Sequence, residues 1–275
     1  MKTKKLLMKY VAVIILFMTI PLLSECSSSQ IKDDTSYTYN NDYNLDELNN
    51  YGQWIYITPY GRVWQPFVVD GWMPFDNGHW DYSNGNWVWV SYEPFGWIVY
   101  HYGNWYDDPE YGWVWNPGND VWSPANVSWI DYGDYICWAP LPPSGVVYGH
   151  PWDRDYERYW HIVKRNDFTK DNVSEYRVMN PGRNVTNENK YLNRPPDKEE
   201  IQRTTGRNVP EINIPKESVR LPNREIMKMK LPPVEHQRIQ PHEEKVRKEV
   251  LVPKDNFEKQ QHERRQINRE ENKKH

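Results

Sequence analysis

The chain has 275 residues, of which 15% are aromatic and 26% charged, and it carries a formal net charge of −4. Length alone allows one or two domains. The charge is segregated: residues 27–160 hold 18 Asp and Glu against 4 Lys and Arg, a balance that repels phosphate and excludes nucleic-acid binding by this part of the chain.

In chain order, the first element is a leader. Lys2, Lys4, Lys5 and Lys9 precede an apolar run over residues 11–23 that only Thr19 and Pro21 interrupt. These 13 residues fall short of the ~20 that a membrane-spanning helix needs, and they suit the apolar core of a signal peptide. Export is therefore expected, with residues 1–26 as the leader. The run ends in Leu23-Ser24-Glu25-Cys26 ahead of Ser27-Ser28-Ser29-Gln30, which resembles the lipobox of bacterial lipoproteins. That resemblance implies Cys26 as the lipidated residue, the membrane as the anchor's partner, and the cell envelope as the location. Glu25 stands where a small residue is expected, so ordinary signal cleavage and retention of the segment stay open. The second cysteine, Cys137, is expected to be a small buried hydrophobe beside Trp138; lipidation of Cys26 would leave it a lone thiol.

Residues 27–50 are polar apart from Leu45 and Leu48 and read as a flexible tether. Residues 51–160 change character. All 15 tryptophans lie there with 14 tyrosines and 3 phenylalanines, and Leu141 is the only leucine. The segment repeats with a period of 25 to 26 residues. Gly52-Gln53-Trp54, Gly78-His79-Trp80 and Gly103-Asn104-Trp105 open the units; Val63-Trp64, Val88-Trp89 and Val114-Trp115 follow. Gly71-Trp72, Gly96-Trp97 and Val121-Trp122 form a third element, and Trp129 and Trp138 belong to a partial fourth unit. Successive repeat tryptophans stand 7 to 10 residues apart, the spacing of short strands joined by tight turns. Asn77-Gly78, Asn84-Gly85, Tyr60-Gly61 and Tyr111-Gly112 supply turn chemistry. The pattern predicts an all-β antiparallel meander, sandwich or barrel-like, of Trp-bearing strands. With leucine nearly absent, one face of each strand must be closed by rings. Each buried indole removes on the order of 150–250 Å² from water, worth roughly 4 kcal/mol as an upper value at about 25 cal/mol/Å².

The ordered run from Gly52-Gln53-Trp54 through Gly61-Arg62-Val63-Trp64-Gln65-Pro66, Glu93-Pro94-Phe95-Gly96-Trp97 and Trp138-Ala139-Pro140-Leu141-Pro142-Pro143 resembles a bacterial family of exported, Trp-rich repeat proteins of unknown function. Some of its members carry FecR-type domains. The run is also similar in style to WXXGXW-repeat lipoproteins. The resemblance implies an exported repeat architecture and brings no activity or catalytic residues.

No motif for catalysis, a metal or a cofactor stands out. Asp107-Asp108-Pro109-Glu110 lacks the ligand spacing of a calcium loop and reads as an acidic hairpin turn. Most tryptophans are expected in the core, because a dozen exposed indoles would form a patch beyond the few hundred Å² that soluble proteins tolerate. Trp87 and Trp113 have Arg62 as their counterpart in the first unit, and a position that varies between Trp and Arg suits a surface. Trp87, Trp113, Arg62 and the neighbouring acceptor Asp81 are therefore the candidate ligand-binding residues.

Beyond residue 160 the charge turns basic, with 26 Lys and Arg against 19 Asp and Glu, so this part has the acidic body or an anionic envelope surface as possible partners. Residues 161–215 are expected as an extension, with one more strand at residues 159–163, a helix near 195–202 stopped by Gly206, and an extended piece over 209–214. Residues 216–275 are expected to be a disordered or partly helical tail, since beyond Phe257 only Ile267 is apolar. The functional expectation is a non-catalytic envelope protein working as a structural or adaptor module through contacts with other envelope proteins. The alternative is a module that binds cell-wall or surface polysaccharide through exposed tryptophans.

Overall fold

The computed structural model describes residues 45–118, 121–143, 148–179, 191–214, 233–271 and 273. The leader, Cys26 and most of the expected tether lie outside the described residues.

Eight strands form four consecutive antiparallel hairpins: β1 (Gly52–Ile57) with β2 (Gly61–Pro66), β3 (Gly78–Ser83) with β4 (Asn86–Ser91), β5 (Asn104–Asp108) with β6 (Gly112–Asn116), and β7 (Val127–Tyr132) with β8 (Tyr135–Pro140). The first and third hairpins merge into a four-stranded sheet in the order β1-β2-β6-β5. The second stands alone. The fourth joins β9 (His161–Lys164) and β10 (Tyr191–Leu192) in a sheet ordered β10-β7-β8-β9.

Each hairpin pairs one tryptophan directly across from another: Trp54 with Trp64, Trp80 with Trp89, Trp105 with Trp115, and Trp129 with Trp138. Trp64 also faces Trp115 across the β2–β6 seam. Cross-strand neighbours on one face are the unit of sheet stabilisation, and aromatic pairs contribute about 0.5–1.5 kcal/mol beyond their buried area. The rings continue between hairpins. Trp64 lies edge-on to Trp105 at 6.2 Å, Phe75 contacts both Tyr100 (4.4 Å) and Trp89 (5.8 Å), and Trp80 reaches Trp129 at 4.5 Å and Trp138 at 5.6 Å. Indole N–H groups find backbone acceptors: Trp64 donates to Leu48 O, Trp105 to Val99 O, and Trp115 to Tyr102 O. The first of these bonds explains the 3-10 turn Leu45–Asn50, whose Leu48 is fully buried. The tether reading thus fails at residues 45–50.

Glycine does two different jobs here. Asn84 (φ 49°) and Gly85 (φ 84°) make the left-handed turn between β3 and β4, as read from the sequence. Gly78 is not a turn residue. It lies within β3 under the partner indole, where a Cβ would sit 2.4 Å from Val90 O and 2.6 Å from a ring carbon of Trp89. Gly52 has the same relation to Trp64. The glycine two residues before the first tryptophan of these hairpins is a slot for the second.

The expectation of one tryptophan per strand fails in three places. Trp72 and Trp122 lie in loops, and Trp97 lies in α1 (Gly96–His101). Pro74, Pro94, Pro117 and Pro124 border these segments and withhold the N–H donors a ladder needs. The fold is also not purely β, since α2 (Lys198–Thr205), α3 (Pro233–Glu249) and α4 (Lys254–Glu271) follow. Helix α2 starts on an Asp197 side chain that accepts from Glu200 N at 2.9 Å, and it ends at Gly206 with φ 65°.

The body extends past residue 160. Val163, Phe168, Val173, Ile201 and Val209 all join the main core, and Ile212 N donates to Tyr82 O. This segment covers aromatic surface that the hairpins leave open, which is why it belongs to the core despite its polar sequence. Cys137 is a buried free thiol within β8, held well above its ordinary pKa by burial.

The glycine slot gives a direct test. Gly78→Ala is expected to lower the free energy of unfolding in urea by about 1–3 kcal/mol, because the added methyl meets a backbone carbonyl and a fully enclosed ring that have nowhere to move. An unchanged unfolding midpoint would contradict the slot.

Candidate functional site

The turn that links β5 to β6 is acidic and tightly closed. Asp108 Oδ1 accepts from Glu110 N (2.9 Å) and Tyr111 N (3.0 Å), and Gly112 supplies φ 71°. This is the acidic hairpin turn read from the sequence. The register places Trp113 directly opposite Asp107, so their side chains share one face of the sheet. Arg158, from a 3-10 turn (Glu157–Tyr159), lies 3.7 Å from the Asp107 carboxylate and 4.7 Å over the Tyr159 ring. Tyr159 in turn stands edge-on to Trp113 at 5.9 Å.

These residues form one wall of a groove of about 750 Å³. The loop after β2 contributes Asp70, Trp72 and Met73, and α4 closes the opposite side with Phe257, Gln261 and Arg264. Helix α4 is fixed there by Phe257, which is buried against Phe67 at 5.2 Å, and by Arg264, which donates to Asp70 at 2.8 Å. Gln261 is only 7% exposed, yet its Oε1 has no hydrogen-bond partner. Burial raises the Asp107 carboxyl, a shift that Arg158 and Arg264 only partly offset.

A second polar cluster lies beneath the groove. The Glu93 carboxylate is buried and receives four donors: Trp72 Nε1 at 2.7 Å and Asn77 Nδ2 at 3.1 Å on Oε1, and Ser91 Oγ at 3.0 Å and the Tyr100 hydroxyl on Oε2. Among the described residues no cation pairs with it, and burial pushes its pKa up to about 7, against the pull of those donors. Glu93 fixes the Trp72 ring that lines the groove floor. The sequence shows Glu93 only as part of Glu93-Pro94-Phe95-Gly96-Trp97, and no spacing rule reveals that four donors from residues 72 to 100 converge on it.

The four candidates read from the sequence lie in different places. Trp87 is 4% exposed, its N–H donates to Pro196 O at 2.8 Å, and its ring meets Phe168 edge-on at 4.8 Å. Its expected surface position is overturned, because residues 168 and 196 fold over it. Asp81 is buried too, 3.3 Å from His79 Nε2. Arg62 is exposed and lies 4.5 Å over the half-buried Trp54. Only Trp113 lines the groove. Nine of the tryptophans (64, 72, 80, 87, 89, 105, 115, 138 and 160) are buried and the other six half-buried.

Fold and groove together define an aromatic-cored antiparallel β domain with a polar cleft whose lining carries three Asp and three Arg. A model for a family of unknown function, DUF6600, matches residues 45–145. The match takes in all four hairpins, whereas Arg158, Tyr159 and α4 lie beyond it. No curated protein and no solved structure matches the chain.

Glu93 makes stability depend on pH. Its folded pKa lies above its ordinary 4.5, so its contribution is fully present below about pH 4.5 and is lost as pH rises through about 7. His101, lowered by burial to about 4, works in the opposite sense: its contribution is present above its ordinary 6.5 and is lost as pH falls. Glu93→Gln isolates the first effect. Relative to the unsubstituted chain, its thermal midpoint is expected to rise between pH 5 and pH 8, by an amount equivalent to no more than about 3 kcal/mol at 1.36 kcal/mol per pKa unit. Parallel pH profiles for the two proteins would contradict the assignment.

Proposed function

We propose that this chain is a non-catalytic, exported envelope module that acts as a scaffold and adaptor through contacts with other proteins. The observation that carries this reading is how the acidic body receives the chain's own C-terminal segment. Val69 N donates to Val250 O at 2.9 Å and Val252 N to Phe67 O at 3.1 Å, extending the backbone at residues 67–69 by a short antiparallel bridge. Val246 packs on Val90 and Tyr92, Phe257 on Phe67, and Arg264 and Arg265 meet Asp70 (2.8 Å) and Glu110 (3.9 Å). Backbone pairing, a few apolar anchors and peripheral ion pairs are the means by which a surface recognises a polypeptide. The burial of the indoles agrees with a structural role for the repeats, and the four Trp–Trp hairpins support reading them as successive copies of one 25-residue unit. Lipidation at Cys26 would hold this module at a membrane surface.

A second reading, recognition of an envelope polysaccharide, is favoured by one observation: Trp113 lines a groove that also carries hydrogen-bonding side chains. The candidates Trp87 and Asp81 no longer support it, because both are enclosed.

Crosslinking in intact cells, followed by membrane fractionation, tests the leading reading. The full chain is expected to fractionate with membranes and to yield protein adducts, most of which disappear when the chain is ended after residue 232. Cys26→Ala is expected to move it to the soluble fraction. Adducts that persist without the C-terminal helices would refute their role, and membrane retention of Cys26→Ala would refute the anchor.

A further inference from the structure

We propose that the groove beside Trp113 is a saccharide site for a neutral, β-linked, N-acetylated chain. The inference rests on the second reading above and adds to it a place and a ligand chemistry.

Three features of the groove converge on that ligand. The first is aromatic. Trp113 is half-buried, braced edge-on by Tyr159 at 5.9 Å, and keeps part of its surface in the groove. A pyranose whose substituents are all equatorial presents C–H groups on both faces and packs on such a ring, as apolar surface does in most small-ligand pockets. The second is charge. Asp107 already has Arg158 at 3.7 Å and Asp70 has Arg264 at 2.8 Å. With Asp108 and Arg177 the lining carries three Asp and three Arg, so it presents no net formal charge to an ion, whereas guanidinium groups keep further N–H donors for hydroxyl or carbonyl oxygens.

The third is the Gln261 amide. Its Oε1 is an acceptor removed from water, with no partner, on a residue that lines the groove. Buried polar atoms of native proteins are nearly all bonded, and this one, unlike the unpartnered indole N–H groups of Trp80 and Trp89 inside the ring core, belongs to a residue that lines a groove, where a ligand can supply the donor. A hydroxyl would serve, but an acetamido group serves more fully. Its N–H suits Gln261 Oε1, its carbonyl suits the arginines, and its methyl finds Met73 and Met179 among the groove's apolar residues. The site is composite, since α4 supplies Gln261 while the β5–β6 hairpin supplies Trp113.

Calorimetry with the full-length chain tests this, using chitohexaose as the N-acetylated probe and cellohexaose, which has the same linkage without acetamido groups, as its comparison. The unsubstituted chain is expected to bind chitohexaose at least about tenfold more tightly than cellohexaose, the order of effect that one net hydrogen bond contributes. Gln261→Leu is expected to weaken chitohexaose binding about tenfold while its thermal midpoint stays or rises, because an unpaired buried acceptor is removed. A merely structural Gln261 would leave binding unchanged. Trp113→Ala is expected to abolish binding; if that variant does not fold, Gln261→Leu alone decides. Equal binding of the two sugars would overturn the N-acetyl assignment. Sugar binding indifferent to both substitutions would overturn the site and leave the polysaccharide reading standing. Absence of binding to either sugar would overturn both.

Discussion

A tryptophan lying flat over a glycine of its partner strand is the contact on which the rest of this structure depends. Leucine is almost absent from residues 51–160, so interior volume has to come from rings. An indole is large, and a pleated sheet accommodates it only if its diagonal neighbour is nearly nothing; Gly52 and Gly78 are that nothing for Trp64 and Trp89. Burying an indole also takes an N–H out of water, at a cost of about 1–3 kcal/mol when no acceptor is found. Leu48, Val99, Tyr102 and Phe75 carbonyls serve four of the paired rings. Trp80 and Trp89 have no such acceptor and are enclosed by other rings instead. At the Trp80–Trp89 pair the second hairpin therefore adds ring packing, and no indole N–H bond, to its antiparallel ladder.

That frame determines where a polar site can exist. The ring faces of the hairpins are used up on one another, so a cleft can form only where sheet, loop and helix leave a gap between edges. The groove beside Trp113 is such a gap. Glu93 stabilises its floor by fixing Trp72, and the docked C-terminal helix supplies its far wall. One segment thus has two positions in the structure: residues 246–257 pin the helix to the body, and Gln261 and Arg264 line the groove.

Much of the hairpin architecture was legible in the residues, because strand period, turn glycines and tryptophan spacing are all local signals. Asn84-Gly85 identified a turn and Trp105 and Trp115 identified paired strands on that basis. Gly78 was misread as a turn residue because a glycine needed for space and a glycine needed for positive φ look alike in a sequence. Trp87 was misplaced for a different reason. Its cover, Phe168 and Pro196, lies about 80 and 109 residues further along, and no local pattern announces a contact at that separation. The groove shares that difficulty. Trp113 is recognisable by its alignment with Arg62, at a position that varies between Trp and Arg, whereas Gln261, on a polar helix far along the chain, carries no signal until the helix is seen docked.

The central claim is that the tryptophans are the interior. Acrylamide quenching of tryptophan fluorescence in the intact chain, compared with the same chain in concentrated urea, tests it most directly. A packed indole core requires quenching several-fold weaker in the folded protein, with the residual arising from the six half-buried rings at positions 54, 97, 113, 122, 129 and 152. Quenching close to that of the unfolded chain would mean that the indoles meet solvent, and the aromatic core would have to be abandoned.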